Sequence, residues 1–233
     1  MEEKKNQSTP TEESAERREE MIETGSVAVK NKRGTIYTLT VIGQVEGHSI
    51  LSPQAKTTKY EHVLPQLVTV EEDDEIDAML ILLNTMGGDV EAGLAISEMI
   101  SGMKKPTASL VLGGGHSIGV PLAVSADRSF IVPSATMTIH PLRMTGVVLG
   151  VSQTFTYLKR MQDRIVEFVV SHSGISFDAF NQLMLSTEEM ANDMGSVLLG
   201  EEAVSCGLID QMGGVADALE YLYQRINEGR KCL

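Results

Sequence analysis

The sequence predicts an α/β fold around a mainly parallel sheet, on three observations. Two continuous apolar runs, Ala78–Leu83 and Ala108–Leu112, have the composition of strands buried on both faces. Glycines close each run, Gly87-Gly88 after the first and Gly113–Gly115 after the second. Behind each glycine group come apolar residues at helical spacing, in Val90–Met103 and Gly119–Ala126. Strand, glycine, helix, then strand again is the pattern of crossover connections between parallel strands.

The remaining elements follow in chain order. Residues 1–33 are rich in Glu, Lys, Arg, Ser and Thr, and are expected to be a disordered charged tail, helical in part over Glu12–Ile22. From residue 34 to 233 a single domain is expected. Thr35–Ile42 is a β-rich run closed by Gly43. Tyr60–Thr69 has apolar residues at mixed spacing around Pro65, and its pattern does not decide between helix and strand. Ser129–Val132 and Thr136–His140 read as strands, and Val151–Ser171 as a long amphipathic helix. Ser176 has the side chain of an N-cap for a helix to Leu185, and Glu201–Cys206 and Val215–Ile226 complete the set.

Composition narrows the function. A net charge of −13 leaves no basic surface for nucleic acid. Two cysteines, Cys206 and Cys232, make no disulfide framework, and the first residues lack the apolar core of a signal peptide. The uncharged stretch Pro106–Ala126 is long enough to span a bilayer, but Gly113–Ser117 and Pro121 break it as a spanning helix. A cytoplasmic protein without a membrane span is expected. Neither glycine turn has the lysine and glycine spacing of a phosphate loop, and no cofactor is expected.

Three motifs carry chemistry. In GGGHSIG, Gly113–Gly119, a serine between glycines after a buried strand sits on a sharp turn, and the Ile118 N–H at the following helix start faces outward. A glycine-rich turn with Ser117 as a mere cap explains that motif equally well alone. In NTMGGDVEAG, Asn84–Gly93, a bare backbone N–H at Gly88 is available as a second donor to an oxyanion, or the glycines simply start a helix. His140 ends the strand TMTIH beside Pro141, where it can serve as the base for a serine or play a structural part. His48, His62, His116 and His172 are less well placed for that role.

Together and in this order, the glycine pair, GGGHSIGVPLA, IVPSATMTIHPL, SHSGIS and GEEAVSCGLID resemble the Clp-type serine proteases over about Thr35–Leu222. The form of the serine motif is most like the bacillar translocation-enhancing branch of that family. The resemblance implies the ClpP/crotonase fold of stacked βαβ units with a long protruding helix. It implies a Ser-His-Asp endopeptidase acting on peptides or unfolded proteins, with Ser117 as nucleophile, His140 as base, and Gly88 and Ile118 as oxyanion donors. It further implies a homo-oligomeric ring, joined through Val151–Ser171, with a separate ATP-driven unfoldase or secretion factors as partners. Asp193 is the nearest match to the triad acid, although MANDMGSVLLGEEA is a residue or two longer than the family pattern; Asp178 is the second choice. An α/β-hydrolase would place its histidine near the end of the chain, whereas the last one here is His172. A crotonase-like acyl-CoA enzyme needs no Ser–His pair, and a Ser–Lys dyad needs a better-placed lysine than Lys104, Lys105 or Lys159. A protease-like scaffold that has lost its activity is the alternative from outside enzymology.

Overall fold

A computed structural model describes residues 25–144, 150–188 and 194–231. The expected helix at Glu12–Ile22 and the acid Asp193 lie outside the described residues. Nine described strands form one sheet whose main path runs β1-β2-β4-β5-β6-β9. Here β1 is Val27–Asn31, β2 Gly34–Glu46, β4 Ala78–Gly88, β5 Thr107–His116, β6 Arg128–Ile131 and β9 Gln211–Met212. The pairs from β2 to β9 along this path are parallel, and β1 runs antiparallel to β2. Residues 27–31 were expected in the charged tail. They form β1 instead, because Val27 and Ala28 cover part of the sheet margin while Val29 to Asn31 face water.

Both long strands outrun their apolar cores. β4 continues through Gly87-Gly88, and β5 through Gly113–Gly115 to His116, so the glycines end strands and do not form separate turns. The ladder tolerates them by irregularity. Thr85 faces Gly43 and Gly87 faces Gln44, which leaves Met86 bulged out of register. On the other margin Leu83 faces Val111 and Thr85 faces Gly115, so β5 bends across residues 112–114. Before the bend β5 pairs with β6; after it, with β7 (Thr136–Ile139), which in turn pairs antiparallel with β8 (Ser196–Leu199). The bend thereby carries the GGGHS segment from β6 to β7 and β8, a branch of the same sheet.

Helices cover the faces unequally. One face holds α1 (Tyr60–Glu72), α2 (Val90–Ser101), α3 (Gly119–Val124), α4 (Val151–Ser171), α5 (Phe177–Met184) and α6 (Gly200–Ser205) over the larger core. The other is covered by α7 (Val215–Lys231), whose Ala218, Leu222 and Ile226 meet Ile36, Leu80 and Leu110. α1 settles the undecided segment. Val63, Leu67 and Val70 bury one helical face, and Pro65 falls on the solvent side, where its missing N–H gives up one helical bond. Ser176 caps α5 by accepting from the Ala179 N–H at 3.2 Å. α4 is anchored only at its carboxyl half, by buried Val166, Phe168 and Val169; Phe155 near its start is 68% exposed. No described helix is long and apolar enough to cross a membrane.

Candidate active site

The turn after β5 is where the sequence works against its own backbone preferences. Ser117 has φ 58°, and among the described residues it is the one non-glycine with positive φ. A side chain there is strained, and such strain persists only where surrounding contacts fix it. Two contacts do so. The Ser117 N–H donates to the Thr138 carbonyl on β7 at 2.9 Å, and the Ser117 carbonyl accepts from Val120 in α3, also at 2.9 Å. Gly87 supplies the room: a Cβ on it would lie 2.7 Å from the Ser117 Cβ. Gly87 is thus required by how closely the end of β4 approaches the serine, while Gly88 and Gly115 make room for Val45 on β2 and Met137 on β7.

Ser117 and His140 line one cavity of about 150 Å³, together with Gly88 and Ile118. Its apolar wall comes from Val90 and Val120 at helix starts, Ile165 on α4, and Phe180 and Met184 on α5. Ile118 precedes α3, and its N–H makes no hydrogen bond among the described residues. Gly88, in the same lining, ends β4 just before Asp89, which caps α2 by accepting from Ala92 at 2.9 Å. Two N–H-bearing backbone segments at strand-to-helix junctions therefore flank the serine, an arrangement suited to a developing oxyanion.

His140 follows β7, and its Nδ1 lies 2.7 Å from the Pro141 carbonyl. A carbonyl only accepts, so this contact holds the proton on Nδ1 and leaves Nε2 as the basic nitrogen. The loop carrying it is tied to α4, where Gln162 accepts from the Leu142 N–H at 3.3 Å. On the far side, Gly195 lies against His140, with a built Cβ 2.9 Å from the His140 Cβ. The chain two residues before Gly195 bears Asp193. Asp178, by contrast, is exposed in the first turn of α5 two residues from Phe180, about 200° around the helix from a side chain that lines the cavity.

Other polar groups are accounted for elsewhere. Asp127 holds the Thr107 N–H, and Asp163 pairs with Lys159 at 2.9 Å on the surface of α4. Lys105 donates to carbonyls at the end of α1, away from the serine. His172 closes α4 by meeting the Phe168 carbonyl at 2.8 Å and stacking on its ring. Among the described residues no group of three His, Cys, Asp or Glu side chains is arranged to hold a metal. Sequence patterns missed Thr138, Gln162 and Gly195. Gln162 alone left a trace, as a polar residue between Met161 and Ile165 on the inner side of an amphipathic helix.

His116 turns away from the cavity to meet the Thr138 hydroxyl at 2.7 Å, and burial pushes its pKa below the ordinary histidine value. Below the ordinary value the unfolded chain then binds a proton that the folded one resists, so stability falls as the pH drops below about 6.5. The unfolding midpoint of the wild-type protein is expected to fall between pH 7 and 5, and His116→Gln should flatten that slope. Equal slopes in a paired denaturation series would show that His116 is not its source.

The family profile of Clp protease matches residues 34–215. The chain belongs to the Clp protease family. It is 55% identical over 197 residues to the Translocation-enhancing protein TepA of Halalkalibacterium halodurans, across 84% of this chain and 77% of that protein. To the ATP-dependent Clp protease proteolytic subunit 1 of Protochlamydia amoebophila it is 26% identical over 156 residues, across 64% of this chain and 72% of that one. Among solved structures, a ClpP1 variant from Listeria monocytogenes superposes with a TM-score of 0.61 at 22% identity, covering 78% of this chain and 94% of the other. At that identity the likeness concerns the fold, and it agrees with the ClpP-like Clp protease architecture that the sequence predicts.

Proposed function

We propose that this chain is a serine endopeptidase that cleaves peptides or unfolded proteins, working in the cytoplasm and assisting protein translocation. The observation that carries the proposal is the shared cavity, where a strained serine, a histidine and two oxyanion-ready backbone segments converge. In this mechanism His140 Nε2 removes the Ser117 hydroxyl proton as the oxygen attacks the scissile carbonyl. The N–H groups of Gly88 and Ile118 stabilise the resulting oxyanion. His140 then passes the proton to the leaving amine, and water repeats the sequence on the acyl-enzyme. The apolar wall formed by Phe180, Met184 and Ile165 favours an apolar side chain next to the cleaved bond.

Asp193 is the proposed acid, supported by Gly195 lying against His140 and by the outward placement of Asp178. Asp193→Asn is expected to lower kcat about 10²- to 10⁴-fold, the range set by loss of the charge that stabilises an imidazolium. A change under about threefold would instead assign orientation of the ring to the Pro141 carbonyl alone.

A second reading, a secretion accessory scaffold without catalysis, is favoured by the TepA relative, which is named for enhancing translocation. Labelling with a serine-directed fluorophosphonate decides between them. The peptidase labels at Ser117, and the scaffold does not label. In either role a homo-oligomeric ring is proposed, because the amino-terminal half of α4 leaves Val151, Phe155 and Tyr157 exposed on a helix with few inward contacts. Phe155→Glu with Leu158→Glu should reduce the mass measured by light scattering. An unchanged large assembly would place the ring contact elsewhere, and a wild-type monomer would remove the ring. A separate ATP-driven unfoldase or secretion factor is the proposed partner of the ring.

A further inference from the structure

A second cavity, of about 380 Å³, opens on the far margin of the sheet from β9. It arises from a gap in strand pairing. β4 occupies one margin of β2 from Ile36 to Val45. On the other margin β1 pairs with Gly34–Thr38, and β3 (Thr57–Lys59) with Gln44–Glu46. Between them Leu39 to Gly43 have no described strand on that side. The Thr58 hydroxyl fills part of the gap by meeting the Ile42 N–H and carbonyl, each at 2.9 Å. Leu39, Thr40 and Ile42 form the floor, and Gly25, just ahead of β1, forms one wall.

The rim is cationic in a chain of net charge −13. Lys56, Lys59 and His62 all line the cavity, and none of its lining residues is a carboxylate. Glu61 sits beside His62 and Glu46 is in register with Lys59, but neither lines it. None of the three basic side chains has an ion pair among the described residues. The amino end of α1 opens at the same place without a side-chain cap, which adds to the positive potential.

We infer that this cavity receives the acidic amino-terminal segment of the same chain. The segment Glu12–Glu23 carries six glutamates against two arginines. The chain reaches the described structure at Gly25, a residue of the cavity wall. Glu19, Glu20 and Glu23 are at most six residues from Gly25 in the sequence, a length of chain that spans up to about 22 Å at about 3.6 Å per residue. Tethered so closely, the segment is present at an effective concentration that no separate acidic peptide at cellular levels matches. Charge complementarity, the open stretch of strand margin and the entry point of the chain all converge on this one occupant.

The test uses the full-length protein, with light and nitrogen-15-labelled chains denatured, mixed and refolded together, then treated with a carbodiimide, which joins carboxylates and amines in contact. The expected products link Glu16, Glu19, Glu20 or Glu23 to Lys56 or Lys59 within one isotope, with yield falling about fivefold or more near 0.5 M salt, where screening is short-ranged. In parallel, Lys56 and Lys59 should acetylate several-fold faster in the triple variant Glu19→Gln, Glu20→Gln and Glu23→Gln than in the wild type. Mixed-isotope links would assign the cavity to the segment of a second copy and overturn the inference. So would links confined to other lysines, or acetylation rates that do not change.

Discussion

Ser117→Ala is expected to lower peptide hydrolysis at least about 10³-fold, the scale on which loss of a triad nucleophile is felt. The unfolding midpoint should scarcely move. Serine and alanine both carry a Cβ, so both bear the same left-handed strain at φ 58°. The two hydrogen bonds that fix the turn use the backbone of residue 117, which alanine retains. Ser117→Gly sharpens the test, since it removes the strain along with the hydroxyl; it should be equally inactive with an equal or higher midpoint. Turnover within about tenfold of the wild type in either variant would move the nucleophile elsewhere, and failure of both to fold would make the serine structural.

The second large effect is on stability. Gly88→Ala is expected to cost about 3 kcal/mol or more, in the class of substitutions that force backbone apart. The new Cβ would run into the Val45 carbonyl oxygen, with the Val45 nitrogen at 2.7 Å, and both belong to the ladder that joins β2 to β4. Neither strand can yield alone, because β2 is held on both margins and β4 is held by β5 as well. For a domain of this size the loss corresponds to a midpoint lower by about 6–12 °C. Gly102→Ala is the control. It lies at the end of α2 with ordinary φ, and its built Cβ comes no closer than 3.3 Å to a neighbour, so a shift of at most about 1 kcal/mol is expected. A calorimetric scan that found the two variants alike would show that the β2–β4 approach is looser than described.

Most of the fold was legible because period and glycine placement are local signals. The runs at Ala78–Leu83 and Ala108–Leu112, the helix Val151–Ser171 and the Ser176 cap all appear where side-chain chemistry puts them. Legibility failed where pairing partners decide. Val27–Asn31 has the composition of a tail and becomes a strand only because β2 offers it a margin. Gly87-Gly88 and Gly113–Gly115 read as turns, yet neighbouring strands draw them into the ladder through bulges. Tyr60–Thr69 could not be decided while Pro65 obscured the spacing of Val63, Leu67 and Val70.

At the candidate site the same division holds. Ser117, His140, Gly88 and Ile118 were read from residue type and order, and the structure brings all four to one cavity. The residues that position them were not. Thr138 acts largely through its backbone carbonyl, which any residue possesses, and Gly195 matters because of what lies across the β7–β8 pairing from it. Such roles leave no mark in a single sequence.

One strand of four residues, β7, makes these dependencies converge. It pins the backbone of the serine through Thr138, leads directly into His140, and is itself held by β5 on one side and β8 on the other. A local opening of β7 would release Ser117 and His140 together while the larger core around β2 and β4 stayed closed. Thermal inactivation would then be a sub-global event, governed by the free energy that protects the Ser117 amide from hydrogen exchange and not by the free energy of unfolding the domain. A stabilising change in α7 could raise the melting temperature and leave the working lifetime of the site untouched; one that tightened β7 against β8 would extend it.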